Sequence, residues 1–168
     1  SNGVPVSGEF QVNTYAYGYQ GFGSWGTSSV AMAGDGSFVV TWTSGDQDGH
    51  GFGIYVQRYD ANGSPLGNEF RVNKVSMFNQ MYSSVAMASD GAFAVTWLQY
   101  GHGGDGNGVY AQRYDANGVT DGPNSRISTY AEPEGFPSIA MADSGAMITA
   151  WQGTKQSDGS GIYIRRYI

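Results

Sequence analysis

The sequence contains no cysteine, so no disulfide can staple it and its fold must rest on packing and hydrogen bonds. Basic residues are scarce. Eight Lys and Arg stand against fourteen Asp and Glu, a net charge of −6, which repels phosphate backbones and argues against a nucleic-acid partner. The arginines recur at repeat-equivalent strand positions instead of forming one basic patch. No apolar run approaches the roughly 18 residues of a membrane span, so no membrane insertion is expected. Apolar residues nowhere keep a helical period over a useful length, which excludes helix as a building material. What is abundant is glycine (27) and tyrosine (12) in 168 residues, the composition of a turn-rich, aromatic, all-β chain.

The order of the residues is repetitive. IYVQRYDANG at 54–63 returns as VYAQRYDANG at 109–118 and, shortened, as IYIRRYI at 162–168. In step with it run SSVAMAGDGSFVVTW (28–42), SSVAMASDGAFAVTW (83–97) and PSIAMADSGAMITAW (137–151), and the units open on GEFQVN, NEFRVN and NSRIST. A period of about 55 residues marks one repeat domain whose modules bury their apolar faces against each other. The units are residues 9–68, 69–123 and 124–168.

Each unit reads as four short strands, at 9–13, 28–33, 37–42 and 53–59 in the first copy. Asp35-Gly36 and Asp90-Gly91 supply tight hairpin turns, and Asn62-Gly63 and Asn117-Gly118 close the DANG turns. The second and third strands are apolar on both faces, which predicts burial on both sides between stacked sheets. The fourfold gradient from apolar inner strands to polar outer ones fits four-stranded antiparallel blades of a β-propeller; a β-trefoil or β-prism is the alternative threefold architecture. Because the chain opens on an outer strand and ends on an inner neighbour, residues 9–13 are expected to complete the last sheet, in the same chain or in a second copy. Three blades are few for a ring, so either two copies form six blades, as a homodimer, or the three units are a piece of a larger ring.

The run FVVTW, then QDGHGFGIYVQRYDANG, then NEFRVN resembles a repeat found in tandem in large secreted bacterial proteins, often beside glycine-rich calcium-binding repeats of the haemolysin type. The resemblance covers nearly the whole chain. It implies a secreted or cell-surface, adhesin-like setting and no particular activity.

Alternation of strands places the long connections together on one side of the sheets and the tight turns on the other. Long loops on a rigid scaffold are where binding concentrates. Theirs is a mixture of aromatics, amides and carboxylates suited to a glycan, whose apolar ring faces stack on aromatics while its hydroxyls take polar groups. The candidates are Tyr17, Tyr19, Gln20, Phe22, Trp25 and His50 in the first unit. Phe78, Gln80, Tyr82, Tyr100, His102 and Asn107 follow in the second, with Tyr130 in the third. Trp25 falls in a five-residue lengthening of the first unit, whose Glu9-to-Glu69 spacing is 60. Trp42, Trp97 and Trp151 recur in every copy and read as core.

Asp46, Asp48, Asp105 and Asp158 stand among glycines and are candidate calcium ligands, the one cofactor the sequence suggests. The glycines equally suit bulges before the following strand. His50 and His102 alone make neither a metal site nor a triad, and Glu132 with Glu134 sits in an exposed-type loop. A non-catalytic, glycan-binding module is therefore expected, with a self-assembling structural unit as the rival.

Overall fold

The fold was analysed in a computed structural model, which describes residues 4–5, 7–21, 27–101, 107–129, 135–155 and 159–168. Among these residues there are eleven strands and no helix. The strands are β1 (Ser28–Met32), β2 (Phe38–Gly45), β3 (Phe52–Tyr59), β4 (Phe70–Arg71), β5 (Asn79–Met87) and β6 (Phe93–Tyr100). They continue as β7 (Gly108–Tyr114), β8 (Thr120–Arg126), β9 (Gly135–Met141), β10 (Met147–Lys155) and β11 (Gly159–Tyr167). Three antiparallel sheets result, β1-β2-β3-β4, β5-β6-β7-β8 and β9-β10-β11.

The turns are built as the sequence expects. Asp60 Oδ1 accepts from the amides of Asn62 (2.9 Å) and Ser64 (2.8 Å), and Asp115 Oδ1 does the same for Asn117 and Val119 (2.9 and 2.8 Å). Asp35 accepts from the Ser37 amide and hydroxyl, 2.8 and 2.7 Å. These aspartates hold turns.

The sheets stack in chain order, with β5 lying against the first sheet on one side and β9 on the other. Between the first two sheets Val39, Ile54, Val56, Val85, Phe93, Val95 and Trp97 form one buried cluster. The three repeated tryptophans are core, as expected, at 5% (Trp42), 0% (Trp97) and 7% (Trp151) exposure. Each lies over the tyrosine of the next strand: Trp42 on Tyr55, Trp97 on Tyr110 and Trp151 on Tyr163, with ring centroids 6.4, 6.2 and 6.4 Å apart.

Burial on both faces holds for the middle sheet, where β6 is buried from Phe93 to Gln99. It does not hold for the end sheets. Val30 and Met32 of β1 are exposed, as are Ile148 of β10 and Ile162 and Ile164 of β11. Their sequence is right for a double-sided neighbour, but each end sheet has a neighbour on one side.

Residues 9–13 are not a strand. They pair with none of the three sheets among the described residues, and the Phe10 ring packs on Tyr59; the edge of β3 is taken by β4, as the DANG hairpin expects, with Val72 donating to the Ile54 carbonyl at 2.8 Å. The expected in-chain completion of the last sheet is also absent, since that sheet has three strands, and the three sheets do not close on one another into a threefold. The sequence unit is thus offset from the sheet: the NEFRVN segment that opens the second unit supplies β4 of the first sheet.

The third copy departs most. Where Thr41 and Thr96 donate to the carbonyls of Tyr55 and Tyr110 at 3.0 and 2.9 Å, it has Ala150. Its threonine is shifted to Thr149, fully buried with its hydroxyl unpartnered among the described residues.

Candidate functional site

A cleft of about 480 Å³ opens where the first and second sheets meet on the long-connection side, lined by Phe52, Phe78, Asn79, Met81, Tyr100, Gly101 and Asn107. That volume is in the range of small-ligand sites. The wall from the first sheet is Phe52, the opening residue of β3; the rest comes from the start of β5, the end of β6 and the residue before β7. Met81 is the buried floor, and Phe52, Phe78 and Tyr100 are half-buried rings at the mouth.

Two asparagines fix the frame. Asn79 Oδ1 accepts from the Phe52 amide across the sheet junction at 3.2 Å, and Asn107 Oδ1 accepts from the Gly101 amide at 2.6 Å. Both carbonyl oxygens are thereby committed to backbone, leaving the two amide Nδ2 groups as donors toward the cleft. Gly51 permits the crossing: it sits at φ 63°, and a Cβ there would collide with Asn79 Oδ1.

Backbone strain collects here. Phe78 has φ 72° and Tyr82 φ 58°, left-handed values that cost a bulky residue about 1–3 kcal/mol each. Tyr82 lies in the bulge where the β5–β6 register shifts between Met81 and Ser84. The bulge turns its ring away from the cleft, 4.6 Å from the ring of Phe136, which is also left-handed at φ 50°. Burial raises the Tyr82 phenol above its ordinary pKa.

Three sequence candidates thus meet in one place: Phe78, Tyr100 and Asn107. Gln80 is fully buried, accepting from Asn73 and donating to the Met77 carbonyl at 2.9 Å each, so it braces the loop instead of meeting a ligand. Gln20 is its repeat counterpart, donating to Ser44 (2.8 Å) and accepting from Trp42 Nε1 (3.1 Å). Tyr17, Tyr19 and His50 are exposed and do not line the cleft. Phe22, Trp25, His102, Tyr130, Asp105 and Asp158 lie outside the described residues.

Of the calcium candidates, Asp48 is nearly buried and paired with Arg71 at 3.2 Å, while Asp46 is an exposed turn residue at φ 60°. Among the described residues no three His, Cys, Asp or Glu side chains cluster in a metal-holding arrangement.

The residues missed by sequence reasoning were Phe52, Asn79, Met81 and Gly101. Phe52 was recoverable, since it is the repeat equivalent of Asn107, 55 positions earlier. Asn79 and Met81 lie in a loop read as binding, but nothing in the pattern says that the bulge leaves Met81 at the floor.

No protein-family profile matches the chain, and no curated protein sequence matches it. Solved structures do resemble it. A Hadza microbial sialidase, Hz136, superposes with TM-score 0.59 at 12% identity over 85% of this chain and 35% of that one. A thermostable family-43 glycoside hydrolase gives 0.53 at 11% identity, covering 84% and 54%. Xylan β-1,4-xylosidase from Bacillus halodurans C-125 gives 0.52 at 17% identity, covering 83% and 30%. The chain therefore spans about half or less of these proteins, and at such identities the likeness is one of fold.

Proposed function

We propose that the chain is a non-catalytic carbohydrate-binding module whose sheets are blades of β-propeller type, with the glycan seated in the cleft between the first and second sheets. The observation that carries this reading is the convergence of Phe52, Phe78 and Tyr100 with the Asn79 and Asn107 amides on one open, uncharged cleft. Aromatic faces take the apolar side of a pyranose, and the two Nδ2 groups donate to its hydroxyls. The described lining supplies aromatic rings, amides and one phenol, groups that stack on a sugar and hydrogen-bond to its hydroxyls. Likeness in fold to a sialidase and two glycosidases supports a carbohydrate ligand at the level of scaffold. A secreted or cell-surface, adhesin-like setting is proposed from the repeat resemblance alone.

A glycan array run with and without calcium tests the reading. At least one hit is expected, and Tyr100→Ala should weaken it about tenfold, the loss of one stacking contact. No hit under either condition would leave the structural, self-assembling role as the better account.

A further inference from the structure

Residues 9–13 hold a position that the chain does not itself explain. The ring of Phe10 lies 5.4 Å from that of Tyr59 at an interplanar angle of 59°. The repeat-equivalent pair, Phe70 and Tyr114, has the same 5.4 Å and 59°. Phe70 belongs to β4, the outer strand of the first sheet, and reaches onto the second. Phe10 therefore sits where the outer strand of a sheet preceding the first would lie. At the opposite end, the third sheet has three strands among the described residues, and none of these pairs with the outer edge of β11.

We propose that two copies of the chain close a six-sheet ring, with residues 9–13 of each adding the fourth strand to the third sheet of the other. The register follows from the two complete sheets. Val72 and Ile127 donate to the carbonyls of Ile54 and Val109 at 2.8 and 2.7 Å. Asn73 Oδ1 and Ser128 Oγ accept back from the same two residues' amides at 2.8 and 3.1 Å. By repeat position, Val12 donates to the partner's Ile162 carbonyl and Asn13 Oδ1 accepts from its amide. Asn13 is already set for this: its Nδ2 donates to the Tyr15 carbonyl at 2.9 Å, as Asn73 Nδ2 donates to Val75 at 2.7 Å.

The faces match as well as the strand. Arg58 of the first sheet clamps the turn of the second through the Ala116 and Asn117 carbonyls, 2.6 and 2.5 Å. Its counterpart Arg166 is exposed on the end sheet and would clamp the partner's Ala61-Asn62 turn. Exposed Ile148, Ile162 and Ile164 on that sheet would meet the partner's exposed Val30 and Met32, and six sheets lie within the roughly 4–8 of propeller rings. The contact runs head to tail, and a half-turn closes it at two copies.

Sedimentation equilibrium of the intact chain at micromolar concentration tests this. The expected mass is twice 17.9 kDa. Val12→Pro removes one donor that has no partner among the described residues, so the monomer should keep its melting profile while the dimer constant weakens about tenfold. A mass of 17.9 kDa throughout, a ladder of larger species growing with concentration, or a dimer indifferent to Val12→Pro would each overturn the proposal.

Discussion

The middle and third sheets are built from closely similar strand sequences and end in different environments. In the middle sheet β7 is buried except at the half-buried Tyr110 and Arg113, whereas its repeat counterpart β11 runs through exposed and half-buried positions along its length. The junctions differ too. Phe70 fills the first junction against Tyr114, but its counterpart at the second is Ser125, facing Tyr167 across a cavity of about 450 Å³. A repeat motif thus sets which residues can be core, and its neighbours decide which are.

The largest effect expected from this comparison is at the tryptophans. Trp97→Ala, at the fully enclosed position, should cost about 3–5 kcal/mol in a denaturant melt, and Trp42→Ala and Trp151→Ala less, because each has an open sheet face nearby. Equal losses at all three would erase the distinction between middle and end sheets.

An exchange at the junctions sharpens it. Phe70→Ser should destabilise by about 2–4 kcal/mol, while Ser125→Phe, entering an existing cavity, should stabilise by about 1 kcal/mol. Calorimetric melting points of the two variants moving in the same direction would contradict the assigned equivalence of these positions.

The core and turns were legible because they rest on local and periodic signals. Alternation predicted the strands, Asp-Gly and DANG predicted the hairpins, and repetition marked Trp42, Trp97 and Trp151 as core. Residues 9–13 read as a strand but pair with none of the three sheets among the described residues, because strand propensity does not supply the edge that a strand must pair with. The cleft was half legible. Loop composition pointed to Phe78, Tyr100 and Asn107, but Gln80 carries the same amide chemistry and is buried by its bonds to Asn73 and Met77. Phe52 was passed over although it shares its repeat position with Asn107, because the repeat pattern does not say that the next sheet is placed against it.

The smallest effect concerns acid. Hydrogen bonds from Ser37, Val119 and Ser89 hold the carboxyls of Asp35, Asp115 and Asp143 below their ordinary pKa of 3.8. A depressed carboxyl stabilises the fold above its unfolded pKa and loses that contribution as pH falls through the folded one. Melting temperature should therefore fall modestly below about pH 3.8, and Asp115→Asn should flatten that part of the profile. The surface position of these groups keeps the effect small.

The most direct test of the binding account is an amide-resolved NMR titration with the strongest array glycan. The account predicts that shifts centre on Phe52, Phe78, Asn79, Tyr100 and Asn107, including the two asparagine Nδ2 signals. Shifts centred instead on Tyr17 and Tyr19, or on the third sheet, would contradict it.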